Sequence, residues 1–550
     1  MDEKRTSRVV FAIGALIGAA AFLIIYGFKP LDVTDDSWII YRGADLSHHY
    51  IGWLFYRNTP WRFPVGLLRG LTYPDEFAIT YMDSIPLFAI FFKLLSPLLP
   101  ETFQYFGIYG MLVFALQGGL SSVIIFKLTG QKMVSMISSG FFSFSSIMIQ
   151  RMFNHTALAC NSLILTMILL FISGQDLRDK NRDIIAWTAL LMVASLVHLY
   201  YIPMTVIFIL GFYFHDLISK EWYRGVIKVL IPIAATLLVM YVVGDFYGGK
   251  ALSDEGLGYY NSNLTSLFDD QGGSYFYKLL GLSIVGSGSG ETFAYIGFGV
   301  ILMVLILFIS SFFARNIKKE KKDIAPLLFI IIAHLFMCTE PEIRFGKITL
   351  LSIEWPEAIY NILSMFRANG RFMWPVFYLF MIGVIVKTSN RFKKWTVYVI
   401  GGLLIVQLID LYPQIKNVRA MNAQSYTGQS TLLQAEFWER VDKDEIYLFY
   451  TPHKHNELIV NTMCLGEYAA EHNMVMNDFY VARKDDTRIK KARKEEEEKI
   501  LKGKANERYL YVFSELPEDI VEGDTNLHIY EVDGMIVGVT EEYSDLNEIK

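Results

Sequence analysis

About eleven apolar runs, most of them roughly 15 to 26 residues long, constrain this chain more than any other feature of its sequence. A helix needs about 20 apolar residues to cross a bilayer core, and an open sheet cannot satisfy its backbone hydrogen bonds in lipid. Charged residues make up only 19% of the chain, against about 25% in soluble domains. This composition excludes a disordered chain, a nucleic-acid binder and an ordinary cytosolic enzyme. It predicts a polytopic all-α membrane protein with spans at 9–28, 103–128, 133–150, 157–173, 184–198, 200–217, 226–245, 292–314, 325–339, 372–388 and 396–413.

Basic residues predict the orientation of these spans. Lys4, Arg5 and Arg8 precede the first run and no small-residue cleavage pattern follows it, so we expect an uncleaved helix with a cytoplasmic N-terminus. The run Ile85–Leu99 is too short for an upright span and contains Lys93, so we interpret it as an interfacial or re-entrant segment. The Lys and Arg clusters at 127–132, 178–182, 220–228, 318–322 and 387–394 then lie on the cytoplasmic side. The long connections lie on the opposite face, at 29–84, 246–291 and 340–371.

Residues 414–550 differ from the rest of the chain. They contain 17 basic and 27 acidic residues, a net charge of −10, whereas residues 1–413 have a net charge of +5. Their pattern predicts strands at 445–450, 474–482 and 508–513, helices at 456–473 and 484–503, and a hairpin over 527–539. We therefore predict a transmembrane domain over 1–413 and a small soluble α/β domain over 414–550, which an odd number of spans places outside the cell.

The first outer loop carries the densest set of polar and titratable side chains, namely Asp36, Asp45, His49, Arg57 and Asp83. The spacing over residues 47–56 is amphipathic and predicts a helix that lies in the membrane surface. Its lipid-facing positions are Tyr50, Trp53 and Leu54. Such a helix holds the Asp45 carboxylate near the height of a lipid phosphate, where chemistry on that phosphate requires an acid or a base. As an alternative, Asp45 and Asp83 cap the segments that follow them.

A divalent-cation site is a second interpretation of this loop. Asp45 and His49 are four residues apart and share one helix face, so both can reach one cation. The adjacent His48 and His49 diverge by about 100° on a helix and do not easily face one metal. We therefore assign no cofactor and no metal ligand, and a divalent cation bound by Asp45 and His49 stays the alternative.

Two further outer segments contain cationic side chains. Arg367 and Arg371 enter a span from the outside, against the usual charge bias. Arginine is the natural bidentate partner of a phosphate, and a helix N-terminus adds attraction for an anion. Arg151 and His155 add a cation and a titratable ring on the same face. We therefore predict that the three arginines bind a donor phosphate, with snorkelling membrane anchors as the alternative.

The loop over residues 246–291 is rich in glycine, without the spacing of a phosphate-binding P-loop. Its aromatic and amide side chains suit a sugar ligand, through ring stacking and hydrogen bonds to hydroxyl groups. Together with the outer-loop residues His49, Arg57, Asp83 and His155, the predicted substrate-binding residues are Tyr259, Asn261, Glu291 and Tyr295. As an alternative, Glu291 simply favours the dipole of the span that it opens.

The layout of loops and spans resembles the GT-C superfamily of integral membrane glycosyltransferases. The segment Ile85-Pro86-Leu87 up to Pro97, before a span that ends at Lys127-Leu128-Thr129-Gly130, is particularly similar. An uncharacterised bacterial family of this type contains blocks similar to Asp45–Trp53, Asp83–Pro86, Gly258–Leu264 and Phe366–Phe372. The resemblance covers about residues 9–413 and does not extend to the tail.

The resemblance implies that a sugar moves from a polyprenyl-phosphate donor to an acceptor on the outer face. It assigns the general base or metal ligand to Asp45. Adjacent acidic pairs often mark this position in the superfamily, so the pair Asp35-Asp36 makes Asp36 the alternative base. The residues 151–155 lack the second acidic motif of oligosaccharyltransferases, so a mechanism without metal is at least equally supported.

The resulting functional hypothesis is an inverting glycosyltransferase of a bacterial cytoplasmic membrane that acts on a cell-surface glycan or glycopolymer. Three alternatives belong to other classes. A transporter or flippase of lipid-linked saccharides predicts charged residues at the middle of the spans, where this chain has almost none. A polysaccharide polymerase or ligase shares the chemistry and differs in acceptor. A membrane scaffold has no activity at all.

Overall fold

Helices make up most of the chain. The computed structural model describes residues 2–42, 44–180, 182–247, 257–284, 286, 290–312, 323–424, 433–441, 447–451, 459–481, 485–513, 516, 520 and 525–549. In chain order, the helices are α1 (Asp2–Tyr26), α2 (Ser37–Arg42), α3 (Ala44–Asn58), α4 (Pro86–Leu94), α5 (Phe106–Thr129), α6 (Lys132–Ser143), α7 (Ser146–Arg151), α8 (Ser162–Ile172), α9 (Gly174–Asp179), α10 (Asp183–Val197), α11 (Tyr201–Phe212), α12 (Phe214–Ile218), α13 (Trp222–Val243), α14 (Tyr275–Leu280), α15 (Phe298–Ser311), α16 (Ala325–Thr339), α17 (Glu357–Leu363), α18 (Met373–Phe392), α19 (Thr396–Ala423), α20 (Phe437–Arg440), α21 (Ile459–Glu471) and α22 (Asp486–Ile500). The strands are β1 (Leu67–Thr72), β2 (Asp75–Ala78), β3 (Glu342–Phe345), β4 (Ile348–Ser352), β5 (Tyr447–Thr451), β6 (Val475–Met476), β7 (Tyr509–Phe513), β8 (His528–Val532) and β9 (Met535–Val539).

Each of the eleven predicted apolar runs contains a helix, which confirms the helical membrane class. By length and composition, five stretches of the described chain can cross a membrane: Glu3–Tyr26, Phe106–Thr129, Lys132–Arg151, Trp222–Val243 and Asn369–Ala423. The other apolar helices have 10–17 residues, so the number of spans stays a prediction. The short segment after Ile85 is confirmed as too short: α4 has nine residues, about 14 Å of helix against a core of about 30 Å.

The chain divides into two compact units. The first compact unit comprises Met1–Asp32, Phe106–Leu238 and Ser253–Ala423, and the second comprises Val33–Tyr105, Val239–Leu252 and Gln424–Lys550. The predicted boundary at residue 414 falls inside α19, which continues to Ala423. The first outer loop therefore belongs to the same compact unit as the C-terminal domain.

Small residues fix the close approach of α1 and α5 in the first compact unit. A Cβ atom built on Gly18 would lie 1.9 Å from the carbonyl oxygen of Phe114, and one on Gly118 would lie 2.1 Å from that of Gly14. Only glycine at these positions allows the two backbones to meet at this distance. Such contacts between small residues are a common way for apolar helices to associate where lipid offers no hydrophobic driving force.

A five-stranded mixed sheet forms the C-terminal part of the second compact unit, in the order β6-β5-β7-β9-β8. Strand β5 pairs in parallel with β6 and β7, while β9 pairs antiparallel with β7 and β8. The predicted hairpin turns at Asp533-Gly534, where both residues have positive φ angles. These elements confirm the predicted α/β pattern, although the parts of those predictions at 445–446, 456–458 and 482–484 lie outside the described residues.

The predicted environment of α3, the helix expected to lie in the membrane surface, was wrong. Tyr50, Trp53 and Leu54 are buried inside the second compact unit and do not face lipid. The indole N–H of Trp53 donates to the carbonyl oxygen of Phe103 at 2.9 Å. Helices α21 and α4 and strand β1 pack against α3, so protein rather than lipid covers its apolar side chains.

The predicted topology leads to a first test. If the N-terminus is cytoplasmic and the number of spans is odd, a Lys491→Cys variant in intact cells should react with a membrane-impermeant maleimide, because Lys491 lies exposed on α22. The three native cysteines are buried, so the unmodified protein serves as the control for background labelling. Labelling only after the membrane is permeabilised would show that the C-terminal domain lies in the cytoplasm, opposite to the predicted orientation.

Candidate functional site

Four residues predicted separately from the sequence meet in the first compact unit. Glu291 Oε2 accepts hydrogen bonds from Arg371 Nη2 at 2.5 Å and from Arg151 Nη1 at 3.3 Å. Nε2 of His155 lies 2.7 Å from Glu291 Oε1. We call these four residues the Glu291 cluster. It places two guanidinium groups and one imidazole around a single carboxylate.

Short elements at the ends of apolar helices position the cluster. Arg151 is the last residue of α7, and its Nη2 also donates to the carbonyl oxygen of Gly290 at 2.6 Å. Glu291 lies in a 3₁₀ turn over Gly290–Thr292, and Arg371 lies in a second turn directly before α18. Glu291 was predicted to open a span, but α15 begins only at Phe298, so the carboxylate is not held by that helix dipole.

Burial makes the electrostatics of the cluster strong. The side chains of Arg151 and Arg371 are only 4% and 11% exposed. Burial alone raises the pKa of the Glu291 carboxyl, but Arg371, the hydrogen bond from His155 and Arg151 outweigh it and hold that pKa well below its usual range. The carboxylate is therefore ionised at neutral pH. Two arginines and one carboxylate leave the cluster with a net positive charge.

Aromatic rings support both guanidinium groups. Arg371 lies over the ring of Tyr200 with 4.6 Å between its Cζ atom and the ring centroid, and Arg151 lies 5.5 Å from the ring of Trp374. Cation–π contacts of this kind fix the plane of a guanidinium. Glu291 and the rings thus hold the two cations in a defined orientation before any ligand binds.

Arg367 lies one turn before Arg371 in the chain and differs from it in exposure. Its side chain is exposed and forms no ion pair within the described residues, and its charge acts on Tyr200 together with that of Arg371. Arg367 is therefore close to the cluster and accessible to an anion from solution.

A second group of predicted residues meets in the second compact unit. Asp45 lies in the first turn of α3, and Asp83 follows a 3₁₀ turn in a left-handed conformation with a φ of 51°. Asp83 does not cap α4, because that helix begins at Pro86 and has no side-chain cap hydrogen bond at its N-terminus. Asp83 and Asp45 both act electrostatically on His48. A non-glycine residue in the left-handed region is strained and often marks a functional site.

Burial and packing fix His48. Its Nε2 lies 2.5 Å from the carbonyl oxygen of Tyr480, and its ring stacks on Phe479 at 5.7 Å between centroids. Burial lowers the pKa of His48, although the Tyr480 carbonyl and the two aspartates oppose this effect. The imidazole is therefore held neutral beside two carboxylates.

The alternative base Asp36 lies in the same compact unit. The hydroxyl of Tyr50 donates to Asp36 Oδ2 at 2.7 Å. Burial raises the pKa of Asp36, and the neighbouring Asp35 adds to this rise. Glu467 and Glu471 on α21 have raised pKa values for the same reason, since burial and the charge of Asp36 disfavour their ionised forms. Asp36 thus belongs to a group of carboxyls that resist ionisation together.

The structure does not support a divalent-cation site in the described part of the chain. No group of three or more His, Cys, Asp or Glu side chains there is arranged to hold a metal ion. The pair of Asp45 and His49 alone supplies two ligands, fewer than the coordination shells of zinc or calcium require.

Other predicted residues have structural contacts instead. Arg57 donates to the carbonyl oxygens of Glu101 and Pro100, at 2.6 and 2.8 Å. Asn261 donates to the backbone at 339 and 342, while Tyr295 donates to a buried aspartate. Tyr259 is 70% exposed and contacts the ring of its neighbour Tyr260. None of these side chains joins the Glu291 cluster.

Sequence reasoning missed Asp410, a fully buried residue on α19. Its Oδ2 accepts from the Phe298 backbone N–H at 2.9 Å and from the Tyr295 hydroxyl at 3.0 Å, and its Oδ1 accepts from the hydroxyl of Ser274. Asp410 thereby caps α15 and ties down both ends of the segment that carries Glu291. A single acidic residue in the apolar run 396–413 was the signal.

Glu340 was also missed. It follows α16 directly and is almost completely buried, and this burial raises the pKa of its carboxyl to about 7. Asn369 Nδ2 donates to the carbonyl oxygen of Glu340 at 2.7 Å and lies in the same turn as Arg371. A carboxyl with such a pKa is suited to proton transfer at neutral pH.

Fold and site together describe a helical membrane protein with a cationic cluster at its helix ends and an α/β extension. The chain belongs to the family described as a domain of unknown function, DUF6311, which it matches over residues 15–412. Residues 437–540 match the C-terminal domain of the same family. No curated protein matches the chain.

Among solved structures, the chain is similar to the archaeal oligosaccharyltransferase AglB from Archaeoglobus fulgidus, in complex with an inhibitory peptide and a dolichol-phosphate. The two share 12% sequence identity with a TM-score of 0.40, over 100% of this chain and 76% of AglB. At this TM-score and identity, the likeness does not establish a shared activity.

Proposed function

We propose that this protein is an integral membrane glycosyltransferase that moves a sugar from a polyprenyl-phosphate donor to a cell-surface glycan acceptor. The observation that supports the proposal best is the Glu291 cluster, which orients Arg151 and Arg371 beside the accessible Arg367. Arginines that are fixed before binding, and that carry a net positive charge, suit a phosphate leaving group.

The proposed reaction is a direct displacement. The acceptor hydroxyl oxygen attacks the anomeric carbon, the bond from that carbon to the phosphate oxygen breaks, and polyprenyl phosphate leaves with the bond electrons. The arginines stabilise the negative charge that develops on the phosphate. The hydroxyl proton passes to a carboxylate, for which the sequence resemblance implies Asp45, with Asp36 as the alternative. Attack opposite the leaving group inverts the anomeric carbon.

Donor binding tests the role of the arginines. The purified full-length protein should bind a synthetic polyprenyl phosphate, and a polyprenol of the same length should bind much more weakly. Arg367→Gln should weaken binding of the phosphate roughly 10- to 100-fold, since a hydrogen bond to a charged group contributes about 1.5–3 kcal/mol. Arg371→Lys should keep the charge and lose the bidentate geometry, and so weaken binding less than Arg371→Gln.

Arg391→Gln is the matched control for this experiment, because Arg391 lies at the other end of α18 and donates to the carbonyl oxygen of Ser310. Thermal unfolding of each variant separates lost binding from lost folding. Equal affinity of the wild type for the phosphate and the alcohol would remove the proposed donor site. Unchanged binding by the Arg367 and Arg371 variants would reduce these residues to anchors.

A transfer assay discriminates between an enzyme and a flippase. Membranes that contain the protein should convert a labelled lipid-linked sugar into a new glycoside. Movement of the lipid-linked sugar across proteoliposomes, without a new glycosidic bond, would favour the transporter instead.

A further inference from the structure

The hairpin of β3 and β4 has one polar and one apolar face. In an antiparallel pair, residues that lie opposite each other share a face of the sheet. Phe345 pairs with Ile348, and Arg344 pairs with Thr349. A bulge follows, beyond which Ile343 pairs with Leu351. Because side chains alternate along a strand, the two apolar pairs lie on one face and the polar pair lies on the other.

The polar face of the hairpin lines a cavity of about 420 Å³ inside the first compact unit. Arg344 and Thr349 lie in its wall together with Asn261 and Asn263. Asn263 fixes the turn of the hairpin, since it accepts from the Gly346 N–H at 2.9 Å and donates to the Gly346 carbonyl at 2.7 Å. The polar face therefore borders the cavity, although Arg344 and Thr349 are themselves exposed.

The apolar face points away from protein. Phe345, Ile348 and Leu351 are 55%, 63% and 52% exposed. Further along the chain, α17 also has exposed apolar side chains, Ile359 and Ile362. A hairpin in water buries its apolar face, whereas here every residue of β4 is exposed and three large apolar side chains are left without burial. Large apolar side chains exposed together on one hairpin face are typical of an interaction surface.

The surrounding elements indicate what covers this face. The hairpin and α17 connect α16 with α18, two apolar helices of the predicted membrane domain. On α16, Leu328, Ile332 and Phe336 are spaced by four residues and form an exposed apolar stripe. Such a stripe is typical of a lipid-facing helix surface. The exposed face of the hairpin follows directly in the chain, so both surfaces suit the same apolar environment.

Charged side chains of the hairpin suit the boundary of a bilayer. Lys347 lies exposed at its turn, where it also borders the cavity, and forms no ion pair within the described residues. Arg344 pairs with Glu342 on the polar face. Long basic side chains beside apolar ones extend toward anionic lipid headgroups.

We propose that the β3–β4 hairpin and α17 form a lipid-binding element that inserts its apolar face into the interfacial layer of the bilayer. The partner is the membrane lipid itself, with its hydrocarbon at the apolar face and its phosphate near Lys347. This element would fix the connection between α16 and α18 at a set depth. The proposal does not depend on the transferase activity.

Spin-label accessibility tests the proposal. Nitroxide labels at Ile348→Cys and Leu351→Cys should collide several-fold more with oxygen than with a nickel chelate, in nanodiscs of phosphatidylcholine and phosphatidylglycerol. Tyr259→Cys, at an exposed loop residue of the same compact unit, should show the opposite preference. Phe345→Cys gives a third position on the apolar face if one label disturbs folding. The native cysteines are buried and leave little background.

Preferential nickel access at the hairpin positions, as at Tyr259, would place this face in water and overturn the proposal. Low access of both reagents, with crosslinking between two Ile348→Cys chains, would show that a second copy covers the face and would also overturn it.

Discussion

Asp45→Asn should reduce sugar transfer about 10²- to 10⁴-fold, the contribution that a positioned general base typically makes. Asparagine keeps the size of the side chain in the first turn of α3 and removes only its ability to accept the proton. Expression, thermal unfolding and binding of polyprenyl phosphate should therefore stay close to those of the wild type. The rate is measured with labelled donor in membranes, and the anomeric configuration of the product should be inverted.

Asp36→Asn tests the alternative base, and Asp83→Asn tests a third carboxyl of the same loop. If Asp36→Asn is inactive while Asp45→Asn is active, then Asp36 is the base, and the resemblance to the GT-C superfamily was aligned with the wrong aspartate of the loop. If all three variants are active, none of these three carboxylates accepts the proton. Glu340→Gln then becomes the informative variant, since the pKa of Glu340 is raised to about 7.

Glu291→Gln should lower the stability of the protein by about 3–5 kcal/mol, because it leaves the buried charge of Arg151 without its carboxylate partner. Folding lowers the pKa of Glu291 from its ordinary value of 4.5, so its contribution is present above about pH 4.5. The contribution is lost as the pH falls toward the lower pKa of the folded state. The difference in unfolding temperature between wild type and variant should therefore stay constant from pH 8 to pH 5 and decrease at more acidic pH.

Glu342→Gln provides the matched control, because Glu342 pairs with Arg344 on the exposed hairpin and surface pairs contribute at most about 1 kcal/mol. A similar loss of stability in the two variants would contradict the special role of the Glu291 cluster. Retention of full donor binding by a folded Glu291→Gln protein would show that the carboxylate does not orient the arginines.

The sequence predicted the helical class well because apolar runs have few alternatives in a membrane. It was less informative about which apolar surface faces lipid and which faces protein. Trp53 illustrates this, because a buried position and a lipid-facing position both require an apolar side chain. The packing partner of α3 is α21, more than 400 residues further along the chain, and no local pattern indicates such a contact.

For the candidate site, too, the sequence indicated the individual residues but not their tertiary contacts. Arg151, His155, Glu291 and Arg371 were each recognisable as polar residues at the end of an apolar run. Their convergence was not, since the three segments are separated by whole helices and meet only through tertiary packing. Glu291 is the centre to which the other three bind, a role that the sequence did not predict, and its contact with substrate stays a prediction. Asp410 stood out as an acidic residue in an apolar run, but its partners, two hydroxyl groups and a backbone N–H, lie in another segment that no local pattern connects with it.

The second compact unit takes its chain from three separate stretches, which has a consequence for biosynthesis. Asn58 donates to the carbonyl oxygen of Ala470 at 2.8 Å, and Thr80 donates to Asp245 at 2.6 Å. During translation, residues 33–105 leave the ribosome long before β9 exists. At about 5–20 residues per second, the delay is roughly 20 to 90 seconds. Throughout this time the apolar side chains of α3 lack their native cover, so a nascent chain or a C-terminally shortened product is an expected target for chaperones and membrane proteases.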